Sequence, residues 1–472
     1  MIITRLYKGL CLFLIICLLQ AVQPRCSFAF TVGEEREVGE KLLYAVRAAF
    51  PIVGEPDIHQ YINDLGREVL AVAGIQYFDY RFYVVESDQF NAFAAPSGLI
   101  FFYTKLIESM DSEDELVSVL AHEIGHVVKR HLASRMQKGK IVNFASLGLA
   151  LAAIAFGGGG AAAQALMTGS LAAGQSAQLH FSREDEIEAD LLAYKWINDL
   201  DRDPYGQKEM LKTMRRITRY RMGQVPQYLL THPNPEARLD YVEGLLAADN
   251  NTPADQSAEK DFSFLRFKYR LMSIVPNNKA ARAYLANKMS DSRSSDFDVT
   301  MAQYGMSQLD RKENNPERAL ERLNKVIEQL PGKDILYVDK GILLGEMGQV
   351  EQAENILNEA VKNNPFDMYA TFHLAEILKN NNNSERALRL FFDVSYEMPE
   401  YPSVYFEIGK IYAEMGKEIE SRFFLGKYYL YEGKLKLAGS NFKQVKMSGL
   451  ANQQLQEESE EMLVLIERLE KK

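Results

Sequence analysis

With 472 residues, 47% of them hydrophobic and 25% charged, the chain has material for about two or three domains and a sizeable core, which excludes a disordered or low-complexity protein. A formal charge of −10 argues against nucleic acid as a partner, because phosphate backbones are held by a surplus of Lys and Arg.

The N-terminus reads as an export signal. Arg5 and Lys8 precede an apolar run from Leu10 to Val22, and Ser27-Phe28-Ala29 offers small residues where a signal peptidase inspects, so cleavage is expected after Ala29. The run is shorter than the ~20 residues that a spanning helix needs. Losing Arg5, Lys8 and Arg25 and no acid takes the charge from −10 to −13. Cys11, Cys17 and Cys26 leave with the leader, so the mature chain carries no disulfide. Cys17 follows Ile16 and Cys26 follows Arg25 instead of a small residue, which speaks against a lipid anchor.

Apolar spacing predicts helices over Glu34–Phe50 and Asp57–Val72, and β-branched and aromatic content predicts strands over Tyr80–Val85 and Gly98–Tyr103. Asn91-Ala92-Phe93-Ala94-Ala95-Pro96-Ser97 reads as a turn leading into a strand at a sheet edge. Ser112 with Glu115 three residues on starts a helix that the periodicity carries to about Met136. Val142 to Ala173 runs from apolar residues through Gly157-Gly158-Gly159-Gly160 into an Ala-rich stretch. It falls short of a membrane span, and two readings fit it: a buried helical hairpin, or a surface in peripheral contact with membrane or unfolded substrate. Ser182 and Asp185 cap a helix that reaches Leu200, and the polar stretch Ala247–Asp261 reads as a linker.

Beyond the linker the chain repeats. Pro331, Pro365 and Pro399 recur every 34 residues, and so do Gly341, Ala375 and Gly409, Ala319, Ala353 and Ala387, and Gly348, Asn382 and Gly416. A period of 34 with small residues where paired helices meet, a turn between them and a closing proline resembles the tetratricopeptide repeat. Clear repeats run from about Asp298 to Lys434, with degenerate helices from Phe262 and onward to Leu469. Such stacks curve and present a groove for an extended peptide or a partner surface.

The chemistry lies in His122-Glu123-Ile124-Gly125-His126. Residues four apart share a helical face, so both imidazoles aim at one metal ion while Glu123 reaches a water bound to it. A catalytic zinc needs a third protein ligand and an open position. His131 does not fit the longer metzincin pattern, because Lys129 and Leu132 stand where glycine and histidine would be required. Glu186 and Asp190 share a face of the second helix, so Glu186 is taken as the third ligand and Asp190 as the acceptor that fixes one histidine's tautomer.

The order Asn91 to Gly98, His122 to His126, Ser182 to Asp190 and Thr231-His232-Pro233-Asn234-Pro235-Glu236-Ala237-Arg238-Leu239 resembles the HtpX and CAAX-prenyl-protease-like zinc peptidases. With an export signal and repeats added, the likeness is to the periplasmic members that enhance β-barrel assembly. The resemblance implies a mainly α fold with a small β-sheet, a zincin-like metallopeptidase domain followed by a tetratricopeptide-repeat α-solenoid. The domains would be 1–29 (signal), 30–246 (peptidase), 247–261 (linker) and 262–472 (repeats). It also implies one Zn²⁺ per subunit on His122, His126 and Glu186, Glu123 as general base and then acid, and His232 and Arg238 at the active site, with His232 able to ligate the metal at rest. Whether His232 represses the zinc or steadies the intermediate stays open. Substrate would lie along the strand that follows Asn91, bringing in Asn91, Ala92, Phe93, Ala94, Ser97 and Gly98. The expected partners are unfolded or misassembled envelope proteins and, through the repeats, the outer-membrane barrel assembly machinery. A second reading makes the chain chiefly a chaperone or adaptor with latent proteolysis. His59, His180 and His373 receive no role.

Overall fold

The computed structural model describes residues 31–137, 181–220, 227–249, 258–276, 278–449 and 451–470. The export signal, Val142 to Ala173 and His180 lie outside these residues. The fold is mainly helical with one small sheet, a first half that carries the sheet followed by a run of paired helices.

Helix α1 (Val32–Ala49) begins on a capping box in which Thr31 and Glu34 exchange hydrogen bonds, and α2 (Pro56–Val72) begins with Pro56 at its first position. The sheet follows in the order β1-β3-β2, with β1 (Arg81–Val85) parallel to β3 (Leu99–Tyr103) and β2 (Ala92–Ala95) antiparallel to it. This corrects the expected turn. Residues 92–95 are themselves the edge strand, and the strand expected at the edge is the fully buried centre. Leu99 pairs with both Arg81 and Ala95, so the three lie in one row across the sheet.

A short helix α3 (Thr104–Glu108) leads to α4 (Glu113–Val128), where Ser112 Oγ accepts from Glu115 N at 3.3 Å and three acids occupy the first turn. The single helix expected to Met136 is broken: α4 ends at Val128, Arg130 takes φ 50, and α5 (His131–Gln137) starts in a new direction. Helices α6 (Arg183–Asp199), α7 (Tyr205–Tyr220), α8 (Gln227–Thr231) and α9 (Pro235–Ala248) complete this half. Helices α4 and α6 cross at Gly125, where a Cβ would stand 3.3 Å from Ala189 Cα.

The predicted linker overlaps two helices, since α9 ends at Ala248 and α10 (Ala258–Ile274) starts before Asp261, and residues 250–257 lie outside the described ones. Then come α11 (Asn278–Ser290), α12 (Asp296–Lys312), α13 (Pro316–Gln329), α14 (Asp334–Glu346), α15 (Val350–Asn363), α16 (Met368–Asn380), α17 (Ser384–Glu397), α18 (Pro402–Glu414), α19 (Glu418–Tyr431), α20 (Leu435–Met447) and α21 (Gln453–Glu470). The 34-residue period is visible in the starts of α14, α16 and α18 and of α15, α17 and α19. Gly348, Asn382 and Gly416 supply the left-handed residue between the paired helices, at φ 77, 57 and 72.

The two halves share one apolar core, which runs without a break from Val53 through the sheet and α4 to Leu343. Helix α10 is wedged between them. Its Arg266 bonds Asp57 of α2 (3.0 Å) and Asp339 of α14 (3.0 and 3.2 Å), Arg270 bonds Asp57 and Glu55, and the hydroxyls of Tyr304 and Tyr369 donate to Asp339. Its buried Lys268 donates to the Met110 carbonyl at 2.6 Å, just ahead of the cap of α4. Burial pulls this ammonium down to about 8.

Candidate metal centre

One face of α4 carries His122 and His126, whose Nε2 atoms lie 3.1 Å apart. Glu186 enters from α6, with Oε2 3.5 Å from His122 Nε2 and Oε1 3.5 Å from His126 Nε2. His232 enters from the turn after α8, its Nδ1 3.3 Å from His122 Nε2 and 3.0 Å from Glu186 Oε1. Among the described residues these four offer donor atoms that all lie within 4.8 Å of one another, and all four are buried.

The loop holding His232 is fixed from several sides. The His232 amide donates to Tyr228 O at 2.8 Å, the Phe181 amide donates to Thr231 O at 3.0 Å, and the Tyr228 ring stacks on His232 with centroids 4.4 Å apart. Asn234 adopts φ 60 and Pro235 opens α9, which turns Arg238 back into the site. Arg238 grips both oxygens of Asp190 at 2.7 Å and reaches Glu186 Oε2 at 3.0 Å.

Both histidines of the motif are oriented through Nδ1. Asp190 Oδ1 lies 2.9 Å from His122 Nδ1, which keeps the proton there and frees the Nε2 lone pair. His126 Nδ1 lies 2.9 Å from His131 Nδ1, and His131 Nε2 lies 3.0 Å from Glu188 Oε2. This relay through His131 and Glu188 was not read from the sequence, where His131 was considered only as a ligand. On a helix running unbroken to Met136, His131 would point about 140° away from His126.

Electrostatically the site is an acid-rich pocket. Burial pushes the Asp190 and Glu186 carboxyls up, but Arg238 with His122 and His232 outweighs it, so Asp190 sits at about 2 and Glu186 well below the usual carboxylate range. Burial holds His126 well below its ordinary value. At His122 burial and Arg238 pull down, and Asp190 and Glu186 outweigh them, lifting it to about 9. Glu123 is fully buried, neither carboxylate oxygen has a hydrogen-bond partner, and His232 Nε2 stands 3.5 Å off. Glu186 and Asp190 thus share a single guanidinium while Glu123 lies buried beside His232, and a buried acid surplus beside imidazole nitrogens fits a divalent cation that accepts nitrogen and oxygen ligands.

Of the residues expected to touch substrate, Asn91, Ala92, Phe93 and Gly98 are buried, while Ala94 and Ser97 are half-buried. The Phe93 ring stacks on Phe101 at 4.9 Å and belongs to the core, so β2 offers its backbone edge and not that side chain. A small recess lined by Ala94, Ala95, Ser97, His126 and Phe181 puts the end of β2 beside the donor set.

Residues 56–246 match the model of peptidase family M48, and residues 311–373 match a tetratricopeptide repeat model. The chain is 27% identical over 396 residues to the "Beta-barrel assembly-enhancing protease" of Escherichia coli (strain K12), covering 76% of this chain and 80% of that one. It is 26% identical over 389 residues to the protein of the same name from Yersinia pestis, covering 82% and 78%. To the "Mitochondrial metalloendopeptidase OMA1" of Schizosaccharomyces pombe it is 28% identical over 183 residues, covering 39% and 51%.

Proposed function

From the premise that residues 56–246 are an M48 metallopeptidase domain followed by tetratricopeptide repeats, we propose that the chain is a zinc endopeptidase of the periplasm that degrades misfolded or stalled outer-membrane proteins. The observation that carries the reading is the buried donor set of His122, His126, Glu186 and His232 within 4.8 Å of one another, with the buried Glu123 carboxylate 3.5 Å from His232 and without a hydrogen bond. The names of the relatives and the expected export signal support the compartment and the substrate class. Among the described residues no helix is long and apolar enough to cross a membrane.

His122, His126 and Glu186 would hold the zinc. When bound, zinc supplies a Lewis acid that polarises the scissile carbonyl and lowers the pKa of a water to ~7. Glu123, desolvated and without a hydrogen bond, would take the water's proton and return it to the leaving amine. Asp190 and His131 hold the imidazoles in register, and Arg238 steadies Glu186 and Asp190. His232 is the fourth donor, which supports a resting state in which it closes the site and must swing away before substrate enters. Substrate would add to the free edge of β2, a backbone-directed mode tolerant of sequence, with the repeats docking the substrate or the assembly machinery.

Glu123→Gln should keep its metal and lose proteolysis, whereas His122→Ala should lose both, with metal content and cleavage of a misfolded outer-membrane barrel as the two readouts. An active Glu123→Gln enzyme rejects the assignment. If Glu123→Gln rescues the envelope of a deletion strain as fully as wild type, the chaperone reading takes its place.

A further inference from the structure

Away from the metal centre, a cavity of about 740 Å³ opens where the peptidase half meets the repeats. One wall is the Phe50–Gly54 segment and the other is Met398–Ser403, and Pro51, Pro399 and Pro402 stiffen both. Tyr80, Tyr83, Tyr401 and Tyr431 line it as well, so its surface is largely aromatic and apolar.

Its charged lining is Arg47, Arg67, Arg81 and Lys434 against Glu397, Glu400 and Glu432, one cation more than acids, and at its centre two arginines share one acid. Glu400 accepts from Arg47 Nη2 at 2.7 Å, Arg81 Nη1 at 2.5 Å and the Tyr83 hydroxyl at 2.9 Å, so a single acid answers two guanidiniums. The Arg47 side chain is only 4% exposed, its guanidinium carbon 5.5 to 5.7 Å from the ring centroids of Tyr44, Tyr83 and Tyr431. Arg47 Nη1 and Arg81 Nε are buried donors with no hydrogen-bond partner. Buried donors beside an uncompensated charge are costly, and a carboxylate is the ligand that answers both.

The sheet behind the cavity points to a chain end instead of a strand passing through. Asn63 takes both backbone groups of Phe82, accepting its N–H at 3.2 Å and donating to its carbonyl at 3.0 Å, and Ile52 bridges Val85. With these positions engaged, β1 has little ladder left to offer a passing strand.

We infer that this cavity captures the free C-terminal carboxylate of a polypeptide whose last side chain is apolar, the acid on Arg47 and Arg81 and the side chain among the tyrosines. This holds whether or not the metal centre cleaves peptides. The test is calorimetric titration of the full chain with N-acetyl-phenylalanine, its amide and decanoate. The acid should bind at least tenfold tighter than the amide and tighter than decanoate, and Arg81→Gln should erase the preference for acid over amide. Ser403→Trp, which changes no charge and breaks no ion pair, should weaken the acid at least tenfold and keeps the test decisive if Arg81→Gln misfolds. Equal affinity for acid and amide, tighter binding of decanoate, or undiminished binding by Ser403→Trp overturns the assignment.

Discussion

Asp190 joins three groups at once: it orients His122, receives the bidentate grip of Arg238, and through that guanidinium steadies Glu186. Asp190→Asn should therefore weaken metal binding about 10–100-fold, the usual cost of losing a partner behind a ligand, in a chelator competition assay. His131→Ala removes the corresponding support from His126 and should lower metal affinity in the same direction, though the sequence pattern gives His131 no place. His232→Ala tests the resting-state reading: the variant should keep its metal and cleave faster than wild type, and slower cleavage would make His232 a stabiliser of the reaction.

Between elements, the close approach that bears on the site is the crossing of α4 and α6 at Gly125. Gly125→Ala puts a methyl 3.3 Å from the Ala189 backbone, one turn from Glu186 on the same helix. The helices must part by a few tenths of an ångström, so the variant should lose about 1–3 kcal/mol in denaturant unfolding and hold metal less tightly. What was legible in the sequence at this scale was local. Ser112 and Ser182 announce their helices because a cap is written within four residues, and the repeats announce themselves because their period is a spacing along the chain. Two features were hidden for physical reasons. Strand β2 is built of Ala92, Ala94 and Ala95 around one Phe, too little β-branched content to compete with the turn signal of Asn91 and Pro96. The relay from His126 to His131 was hidden by the broken helix: five residues along a continuous helix turn the side chain about 140° away. Only the left-handed Arg130 brings His131 back.

At the scale of the molecule, the buried network of Asp57, Arg266, Arg270 and Asp339 clamps the peptidase half to the repeats. Nothing in the sequence reveals it, because its members are scattered over hundreds of positions. Burial pushes the Asp57 carboxyl up, and Arg270 and Arg266 overcome this to hold it at about 2, below its ordinary 3.8. A depressed carboxyl stabilises the fold fully above the ordinary value and loses that contribution as the pH falls through the folded one, here about 2 kcal/mol between roughly pH 4 and 2. Asp57→Asn should flatten this acid limb and, by leaving two buried guanidiniums short of a partner, cost about 3–5 kcal/mol near neutral pH in urea unfolding.

The wedge formed by α10 also imposes an order in time. Asp57 and the histidine motif leave the ribosome early, whereas Arg266 follows Asp57 by 209 positions and Asp339 comes later still. Until those residues emerge, Asp57 has no cation and the start of α4 lacks the Lys268 prop beneath Met110. A prematurely terminated chain ending before α10 therefore lacks both supports, the cations on Asp57 and the prop at the start of α4.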